Sequence, residues 1–273
     1  MQVEFHKMHG LGNDFIIFKD SIQFESLPAD QVKQLCDRKY GVGCDQLIIC
    51  NKLSDNHVKM EIYNNDGSLA SFCGNATRCV VALYKEDSIE KDILIEAGNR
   101  LLKCCLKNEM VTVNIGEPIL SWDKIPLSFP IEGNEIDLPI EIQAKKLKGF
   151  CVNVGNPHVV IFVENYDFDL VDVGSKIENL HYFPHKTNVN FANVINKNNI
   201  NLRVWERGSG LTLACGSGAS ASFYAAFKMN LVENDCNIHF EKGWLNIKLE
   251  NGNIIMTGSY TYVFKGNVKI KDV

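Results

Sequence analysis

Two stretches of the 273-residue chain decide the predicted fold: Gly74–Glu86, GNATRCVVALYKE, and Gly216–Met229, GSGASASFYAAFKM. Both are apolar nearly all round and rich in alanine and other small residues, a composition typical of a helix buried on every side. Each begins directly after a cysteine, Cys73 in the first case and Cys215 in the second. The sequence therefore predicts two central helices, each with a cysteine at its start.

The rest of the chain favours short β-strands. Turn signals such as Gly98-Asn99 and Asn251-Gly252 separate apolar runs at the spacing of antiparallel hairpins. A further helix is predicted over Ala29–Tyr40, with Pro28 near its start and Gly41 just past its end. The predicted strands are Val3–His6, Phe15–Lys19, Gln46–Cys50, Val58–Tyr63, Ile93–Ala97, Leu101–Leu106, Val111–Ile115, Phe150–Val154, Val159–Val163, Val189–Ile195, Leu202–Trp205, Asn237–Glu241, Leu245–Leu249, Ile254–Gly258 and Tyr260–Lys265.

A change in proline content predicts a domain boundary. Pro118, Pro126, Pro130 and Pro139 fall within 22 residues, whereas the preceding 117 residues contain one proline. Residues 1–117 together with 261–273 are predicted to form an N-terminal domain, and residues 118–260 a C-terminal domain. The predicted fold class is α+β, with two pseudo-symmetric domains that are each a curled, mostly antiparallel sheet around a central buried helix.

Polar residues recur at matched distances before the two cysteines. The offsets are 60 and 59 residues for the first pair, 27 in both halves for the second, and 9 in both halves for the third. The pairs are Asn13 and Asn156, Gln46 and Asn188, and Asn64 and Glu206. Each residue lies at the end of a predicted strand, so the two halves are predicted to share one architecture.

The two cysteines suggest a reaction. A helix N-terminus binds anions through backbone N–H groups, and a cysteine placed there is expected to have a lowered thiol pKa. Two such cysteines on opposite sides of a bound carbon would let one thiolate remove a proton while the other thiol returns a proton to the opposite face. Inversion of configuration at that carbon is the chemistry of a racemase or epimerase.

These residues also lie in recognisable motifs, and with them the chain resembles the diaminopimelate epimerase family over essentially its whole length. The motifs are Gly10-Leu11-Gly12-Asn13-Asp14-Phe15, Tyr63-Asn64-Asn65-Asp66-Gly67-Ser68, Cys73-Gly74-Asn75, Gly155-Asn156-Pro157-His158, Glu206-Arg207-Gly208 and Ala214-Cys215-Gly216-Ser217-Gly218. The resemblance implies a cofactor-independent isomerase that interconverts LL- and meso-diaminopimelate in lysine and cell-wall synthesis. It also implies a homodimer.

The resemblance further assigns roles to individual residues. It implies that Cys73 and Cys215 are the acid–base pair, and that His158 and Glu206 support the thiols. Backbone N–H groups at Gly74-Asn75 and Gly216-Ser217 would hold the reacting carboxylate. The remaining substrate-binding residues would be Asn13, Gln46, Asn64, Asn156, Asn188, Glu206 and Arg207. The chain departs from the usual family pattern at four positions, which are Cys44, Ala76, Leu211 and Ser217.

Composition limits the other function classes. The net charge of −5 and the isoelectric point near 5.8 argue against nucleic-acid binding. The longest apolar runs are too short to cross a bilayer, and the N-terminus shows no secretory signal, so a cytoplasmic enzyme with a small amino-acid substrate is expected. None of the ten cysteines forms a Cys-x-x-Cys pair, and no dinucleotide or phosphate-loop fingerprint is present, so neither a metal nor a cofactor is predicted.

Three alternatives stay open from sequence. A related two-cysteine racemase of the proline racemase type would share the thiol pair but act on another amino acid. A cysteine-nucleophile hydrolase would need only one cysteine with a base and an oxyanion hole. A binding protein without activity would keep the carboxylate site but would not need two thiols.

Overall fold

The computed structural model describes residues 1–23, 27–70, 72–85 and 92–270. The helices are α1 Ala29–Cys36, α2 Gly74–Lys85, α3 Leu170–Glu178 and α4 Gly216–Lys228. The strands are β1 Gln2–Gly10, β2 Asn13–Lys19, β3 Gln46–Ser54, β4 His57–Asn64, β5 Leu69–Ala70, β6 Ile93–Ala97, β7 Arg100–Lys107, β8 Met110–Gly116, β9 Glu135–Ile142, β10 Lys145–Asn153, β11 Pro157–Phe162, β12 Asn188–Asn196, β13 Asn199–Glu206, β14 Gly210–Thr212, β15 Asp235–Phe240, β16 Gly243–Glu250, β17 Asn253–Ser259 and β18 Thr261–Lys269.

The chain divides into two compact units. The first unit is Met1–Asn114 with Thr257–Val273, and the second is Ile115–Met256. The sequence predicted the corresponding boundaries after residues 117 and 260, and the change in proline content was the signal for the first of them. The N-terminal part of the first unit is joined to its C-terminal part by β1, which pairs antiparallel with β18 from Gln2↔Lys269 to His9↔Thr261.

Strands pair in the same sequence in both units. The first unit has the order β18-β1-β2-β3-β4-β6-β7, in which β2–β3 and β4–β6 are parallel and the other neighbours are antiparallel. The second unit has the order β9-β10-β11-β12-β13-β15-β16, in which β11–β12 and β13–β15 are parallel and the others antiparallel. The pseudo-symmetric, mostly antiparallel α+β fold predicted from sequence is confirmed.

The central strands are covered on both faces. Residues Phe15–Phe18 of β2 and Leu47–Cys50 of β3 are all inaccessible to solvent. Helix α1 packs on one face through Val32 and Leu35, and α2 contacts β1, β2, β6 and β7. Because both faces are buried, these strands are continuous apolar runs rather than alternating ones.

Helix α4 occupies the corresponding place in the second unit. Every residue from Gly216 to Ala226 is buried, and the helix contacts strands β10 to β13, β15 and β16. Its alanines, glycines and serines allow close approach of the surrounding strands, most clearly at Gly218. A Cβ atom on Gly218 would lie 2.6 Å from Oδ1 of Asn190 and 3.1 Å from a methyl group of Val204.

One sequence prediction needs correction, and a strand and a helix were missed. The helix predicted over Ala29–Tyr40 ends at Cys36, because the Asp37 carboxylate accepts hydrogen bonds from the backbone N–H groups of Lys39 and Tyr40 and stabilises a turn instead. The proline-rich stretch contains β9, which pairs with β10 alone among the described residues, and an edge strand of this kind tolerates Pro139. Helix α3 was not predicted.

Both central helices were predicted correctly in place. Helix α4 begins at the predicted Gly216 and ends one residue before the predicted Met229. Helix α2 begins at the predicted Gly74 and extends at least to Lys85. The predicted last residue of that helix, Glu86, lies outside the described residues.

Packing beneath α3 provides a test of the second unit's core. Phe191 on β12 is fully buried and meets the ring of Phe168 at 5.4 Å between centroids. Replacing a buried phenylalanine with alanine costs about 3–5 kcal/mol. We expect Phe191→Ala to lower the free energy of unfolding by this amount in urea titrations followed by circular dichroism.

The same strand supplies the control for this test. Ile195 is 52% exposed, so Ile195→Ala should change the free energy of unfolding by no more than about 0.5 kcal/mol. Equal losses for the two variants would contradict the packing of Phe191 in this core.

Candidate active site

In the first unit, Cys73 directly precedes the buried helix α2. Its carbonyl oxygen accepts hydrogen bonds from the backbone N–H and the hydroxyl of Thr77, at 3.0 and 2.9 Å, and these bonds begin the helix. The side chain is half-buried, and its thiol donates to Oδ1 of Asn13 over 3.6 Å. Cys73 thus occupies the position at the helix start that the sequence predicted.

The amide of Asn13 is held by three protein groups. Its Oδ1 accepts from Cys73 and from Nδ2 of Asn75 at 3.3 Å, while its Nδ2 donates to Oδ2 of Asp45 at 3.2 Å. One amide hydrogen is left over, because a side-chain NH₂ group carries two. The structure therefore brings together Asn13, Cys73 and Asn75 of the predicted site.

Gln46 and Asn64 form a second pair of amides in this unit. They are direct partners in the register of β3 and β4, and Nε2 of Gln46 donates to Oδ1 of Asn64 at 3.0 Å. Nδ2 of Asn64 in turn donates to the hydroxyl of Ser68 at 3.0 Å. This bonding fixes the orientation of both amides, and both side chains are half-buried.

In the second unit, Cys215 caps the helix α4. Its backbone is extended, at φ −133° and ψ 116°, and its sulfur accepts a hydrogen bond from the N–H of Gly218 at 3.4 Å. The hydroxyl of the buried Ser217 also lies 3.4 Å from this sulfur. Cys215 itself is only 6% exposed.

The predicted lowering of the thiol pKa is wrong for Cys215. Burial and then the negative charge of Glu206 raise the pKa of Cys215 well above its usual value. The contacts with Ser217 and with the N–H of Gly218 lower the pKa but are outweighed. Since burial disfavours the charged form, Cys215 is a protonated thiol at neutral pH.

His158 lies between two side-chain amides, the buried Asn190 and the half-buried Asn156. One ring nitrogen, Nδ1, is 3.0 Å from Nδ2 of Asn190, and the other, Nε2, is 2.9 Å from Oδ1 of Asn156. Nδ2 of Asn190 also donates to the carbonyl of Val159 at 3.1 Å, which fixes it as the donor end of that amide. Nδ1 must therefore accept, so Nε2 carries the proton and donates to Asn156.

Burial keeps this imidazole neutral. His158 is inaccessible to solvent, and burial together with the positive charge of Arg207 lowers its pKa from 6.5 to about 3. A neutral ring can hold the Nε2–H tautomer that Asn156 requires. Oδ1 of Asn190 has no hydrogen-bond partner among the described residues, and it faces the first turn of α4 at Gly218.

The other predicted residues of this unit lie around the end of β13. Nδ2 of Asn188 donates to the carbonyl of Pro157 at 2.8 Å, and its Oδ1 accepts from the backbone N–H of Arg207 at 3.0 Å. Glu206 accepts from the hydroxyl of Thr212 at 2.6 Å. The guanidinium of Arg207 is exposed and donates to the carbonyl of His185 at 3.3 Å.

Sequence reasoning missed several residues that bond to predicted site residues. Among them are Asp45 beside Asn13, Asn190 beside His158, and Thr212 beside Glu206. Asn190 had a usable signal, because it lies two residues after Asn188 and alternate residues of a strand share a face. Asp45 and Thr212 had none, since loop and edge positions carry no periodicity. The exposed Leu211 lies beside Thr212, which supplies the hydroxyl to Glu206.

Within the parts of the chain that the structure describes, no group of three or more His, Cys, Asp or Glu side chains is arranged to hold a metal ion. No helix there is long and apolar enough to cross a membrane.

Comparison with known proteins decides the family. The family model for diaminopimelate epimerase matches residues 5–121 and 150–263. The chain belongs to the diaminopimelate epimerase family. Each of the two matched segments contains one of the cysteines at the starts of the central helices, Cys73 in the first and Cys215 in the second.

Curated relatives in this family match the chain from end to end. A diaminopimelate epimerase from Pelagibacter ubique is 42% identical over 99% of this chain and 100% of the relative. Another from Zymomonas mobilis is 43% identical over 97% of both chains. The family resemblance stated from the sequence motifs is confirmed.

Solved structures share the fold at much lower identity. A hydroxyproline epimerase from Agrobacterium vitis has a TM-score of 0.67 at 14% identity and covers 98% of this chain and 92% of its own. A protein from Pseudomonas aeruginosa described as a predicted epimerase has a TM-score of 0.68 at 12% identity, covering 98% and 100%. At these identities the likeness establishes the fold alone.

The buried neutral His158 predicts a pH dependence of stability. Its folded pKa of about 3 lies below the unfolded value of 6.5, so the unfolded state binds the extra proton between these values. The contribution of His158 to stability is therefore fully present above pH 6.5 and is lost as the pH falls towards 3. The free energy of unfolding should decrease by up to about 1.4 kcal/mol per pH unit from this residue.

Urea unfolding of the protein and of His158→Gln at several pH values from 7 to 5 measures this contribution. The slope of the free energy of unfolding against pH should be smaller in the variant, because the variant lacks the proton that His158 takes up on unfolding. Parallel slopes in the two proteins would mean that His158 is not held neutral by burial.

Proposed function

We propose that this protein is a diaminopimelate epimerase, an isomerase that interconverts LL- and meso-diaminopimelate in lysine and peptidoglycan-precursor synthesis. Membership of the family and the end-to-end match to relatives of that name support the assignment. The observation that carries it is the placing of one cysteine at the start of each central helix in two units of the same topology. No other pair of cysteines has this arrangement in the described residues.

The reaction needs two groups that exchange protons with one carbon. In one direction the Cys73 thiolate takes the proton from the α-carbon, and the bond electrons stay on that carbon as a carbanion. The Cys215 thiol then gives its proton to the opposite face and becomes the thiolate. The product has the inverted configuration, the two cysteines have exchanged protonation states, and the reverse reaction uses the same steps.

The protonation state of Cys215 fits the donor role in this direction. Burial raises its pKa, so Cys215 holds a proton at neutral pH. Glu206 contributes to this effect through its negative charge, which is consistent with its proposed support of the thiol. The proposed support from His158 is indirect. Its Nε2–H group donates to Oδ1 of Asn156 and so orients that amide.

Substrate recognition is proposed for the polar groups around each cysteine. The backbone N–H groups at Gly74-Asn75 and Gly216-Ser217 begin long helices, and such groups with the helix dipole favour a carboxylate. The amides of Asn13, Gln46, Asn64, Asn156 and Asn188 would bind the amino and carboxylate groups of the substrate, together with Glu206. Arg207 is the proposed partner of the distal carboxylate, because its guanidinium is exposed and bidentate pairing suits a carboxylate.

The cytoplasmic location and the homodimer stay predictions. Both come from the sequence and its family resemblance. Size-exclusion chromatography with light scattering would measure the oligomeric state directly.

Loss of either cysteine should abolish epimerisation. In deuterated water, LL-diaminopimelate should gain deuterium at one α-carbon as meso-diaminopimelate forms, because the returned proton comes from a thiol in exchange with solvent. We expect Cys73→Ala and Cys215→Ala each to reduce turnover by at least about 10²–10⁴-fold. Mass spectrometry and chiral chromatography give the two readouts.

Cys105→Ala is the matched control, because Cys105 is also half-buried but lies within β7 and begins no helix. It should keep full turnover. Near-normal turnover of a folded Cys73 or Cys215 variant would overturn the two-thiol mechanism. Absence of deuterium incorporation by the unmodified protein would favour a hydrolase or a binding protein, and proline as the better substrate would favour a proline racemase.

Recognition of the distal carboxylate provides a separate test. Removing one partner of a charge pair that becomes desolvated when the substrate binds costs about 2–5 kcal/mol, and lysine does not reproduce the bidentate geometry. Arg207→Lys and Arg207→Ala should therefore lower kcat/KM for diaminopimelate at least tenfold. Arg203→Lys is the control, since Arg203 pairs with Glu241 at 3.3 Å and should leave kcat/KM unchanged.

The amino acid lysine lacks the second carboxylate, so it should be a very poor substrate for the unmodified enzyme. Racemisation of lysine as efficient as that of diaminopimelate would show that Arg207 does not read the far end of the substrate.

A further inference from the structure

The side chain of Asn13 lies between a carboxylate and the Cys73 thiol. Its Nδ2 donates to Oδ2 of Asp45 at 3.2 Å, and its Oδ1 faces the Cys73 sulfur at 3.6 Å. Asn75 donates to the same Oδ1 at 3.3 Å. The amide is thus bonded at both ends, and its two ends have different partners.

Reversing this amide would be unfavourable. A carboxylate accepts hydrogen bonds but cannot donate them, so Asp45 would face the Oδ1 of a reversed Asn13 as a second acceptor. Nδ2 of Asn75 would then face another NH₂ group. Both bonds would be lost and like partial charges would meet at each end, and hence Asp45 and Asn75 select one orientation of the amide.

Asp45 is itself held in place. Its Oδ1 accepts from the Arg38 guanidinium at 2.7 Å, and its Oδ2 also accepts from the backbone N–H of Asp14 at 3.1 Å. The carboxylate of Asp14 accepts in return from the backbone N–H of Asp45 at 3.1 Å and from Arg38 and Lys7. These reciprocal bonds keep the Asp45 carboxylate aimed at Asn13.

We propose that Asp45 is a positioning residue for Cys73, which it serves by fixing the Asn13 amide so that the carbonyl oxygen rather than the NH₂ group faces the thiol. This inference rests on the proposed acid–base function of Cys73. A carbonyl oxygen accepts from the S–H group but cannot donate to the thiolate. The thiolate formed at Cys73 therefore gains no hydrogen bond from Asn13 and is a stronger base towards a weakly acidic C–H bond.

Other charged and titratable groups also surround Cys73 and the Asp45 carboxylate. Lys7 on β1, Asp14 on β2 and Arg38 after α1 belong to the carboxylate network. Arg78 on α2 is fully buried and interacts electrostatically with both Cys73 and Cys79. A simple change of charge at residue 45 would act on Cys73 through space, so the test must separate that effect from the orientation of the amide.

The test measures ionisation of Cys73 without using epimerase activity. The assay uses a Cys215→Ser background. Alkylation by iodoacetamide reports the thiolate, and peptide mass spectrometry assigns the modification to Cys73 among the nine remaining cysteines. Asp45→Asn allows the Asn13 amide to reverse and donate to the thiolate. We expect the pH of half-maximal alkylation of Cys73 to fall by about one unit, which is tenfold more thiolate at a pH below both midpoints.

A double-mutant cycle shows whether Asp45 acts through Asn13. Asn13→Ala removes the facing oxygen, so it should lower the same midpoint, and adding Asp45→Asn to it should produce no further shift. A through-space charge effect would instead add to that of Asn13→Ala. A charge effect through space should also disappear at high salt, whereas the effect of the amide orientation should persist.

Further variants keep the outcome decisive. Asp45→Glu retains an acceptor carboxylate and should restore the original midpoint, and Asp45→Ser replaces Asp45→Asn if the latter fails to fold by circular dichroism. An unchanged midpoint in the folded Asp45 variants, or additive shifts in the cycle, would overturn the inference. Failure of the proposed function would show itself in a different experiment, as epimerisation retained by Cys73→Ala.

Discussion

The first turn of a buried helix leaves backbone N–H groups without partners inside the helix, and the rest of this structure depends on how they are satisfied. In α4 the sulfur of Cys215 accepts one of these groups, that of Gly218. The same atom that completes the helix is therefore the proposed acid. Its environment follows from this position, because a helix start enclosed by a sheet is dry, and a dry site holds the thiol protonated.

The two units share one topology, but the cysteines at their helix starts have different surroundings. Cys73 is half-buried and bonds to Asn13, whereas Cys215 is buried and bonds to the helix and to Ser217. The polar side chains near each cysteine are held by groups that can only accept or only donate a hydrogen bond. Asp45 can only accept from Asn13, and Nδ2 of Asn190 can only donate to His158. Such partners preset the direction in which each site amide faces its neighbour, so less reorganisation is needed during the reaction.

Two of the departures from the usual family pattern, Ser217 and Cys44, fit their surroundings by size. Ser217 is small enough to be buried at the start of α4, and its hydroxyl lies against the Cys215 sulfur. Cys44 is buried beside Cys36 at 3.4 Å between sulfurs, in the segment that leads to Asp45. Each of these side chains occupies a place where volume rather than charge decides what fits.

Sequence alone determined the two central helices, the strand-rich units and the residues that flank the cysteines, because burial on all sides leaves a continuous apolar pattern and matched offsets record a repeated topology. It did not determine the end of α1, the edge strand β9 or the helix α3, where turn chemistry and edge position outweigh periodicity. Only the tertiary structure decided the state of the site. The raised pKa of Cys215 and the neutral ring of His158 arise chiefly from burial. The orientation of the Asn13 amide depends on Asp45, which is 32 residues away in sequence and adjacent in space.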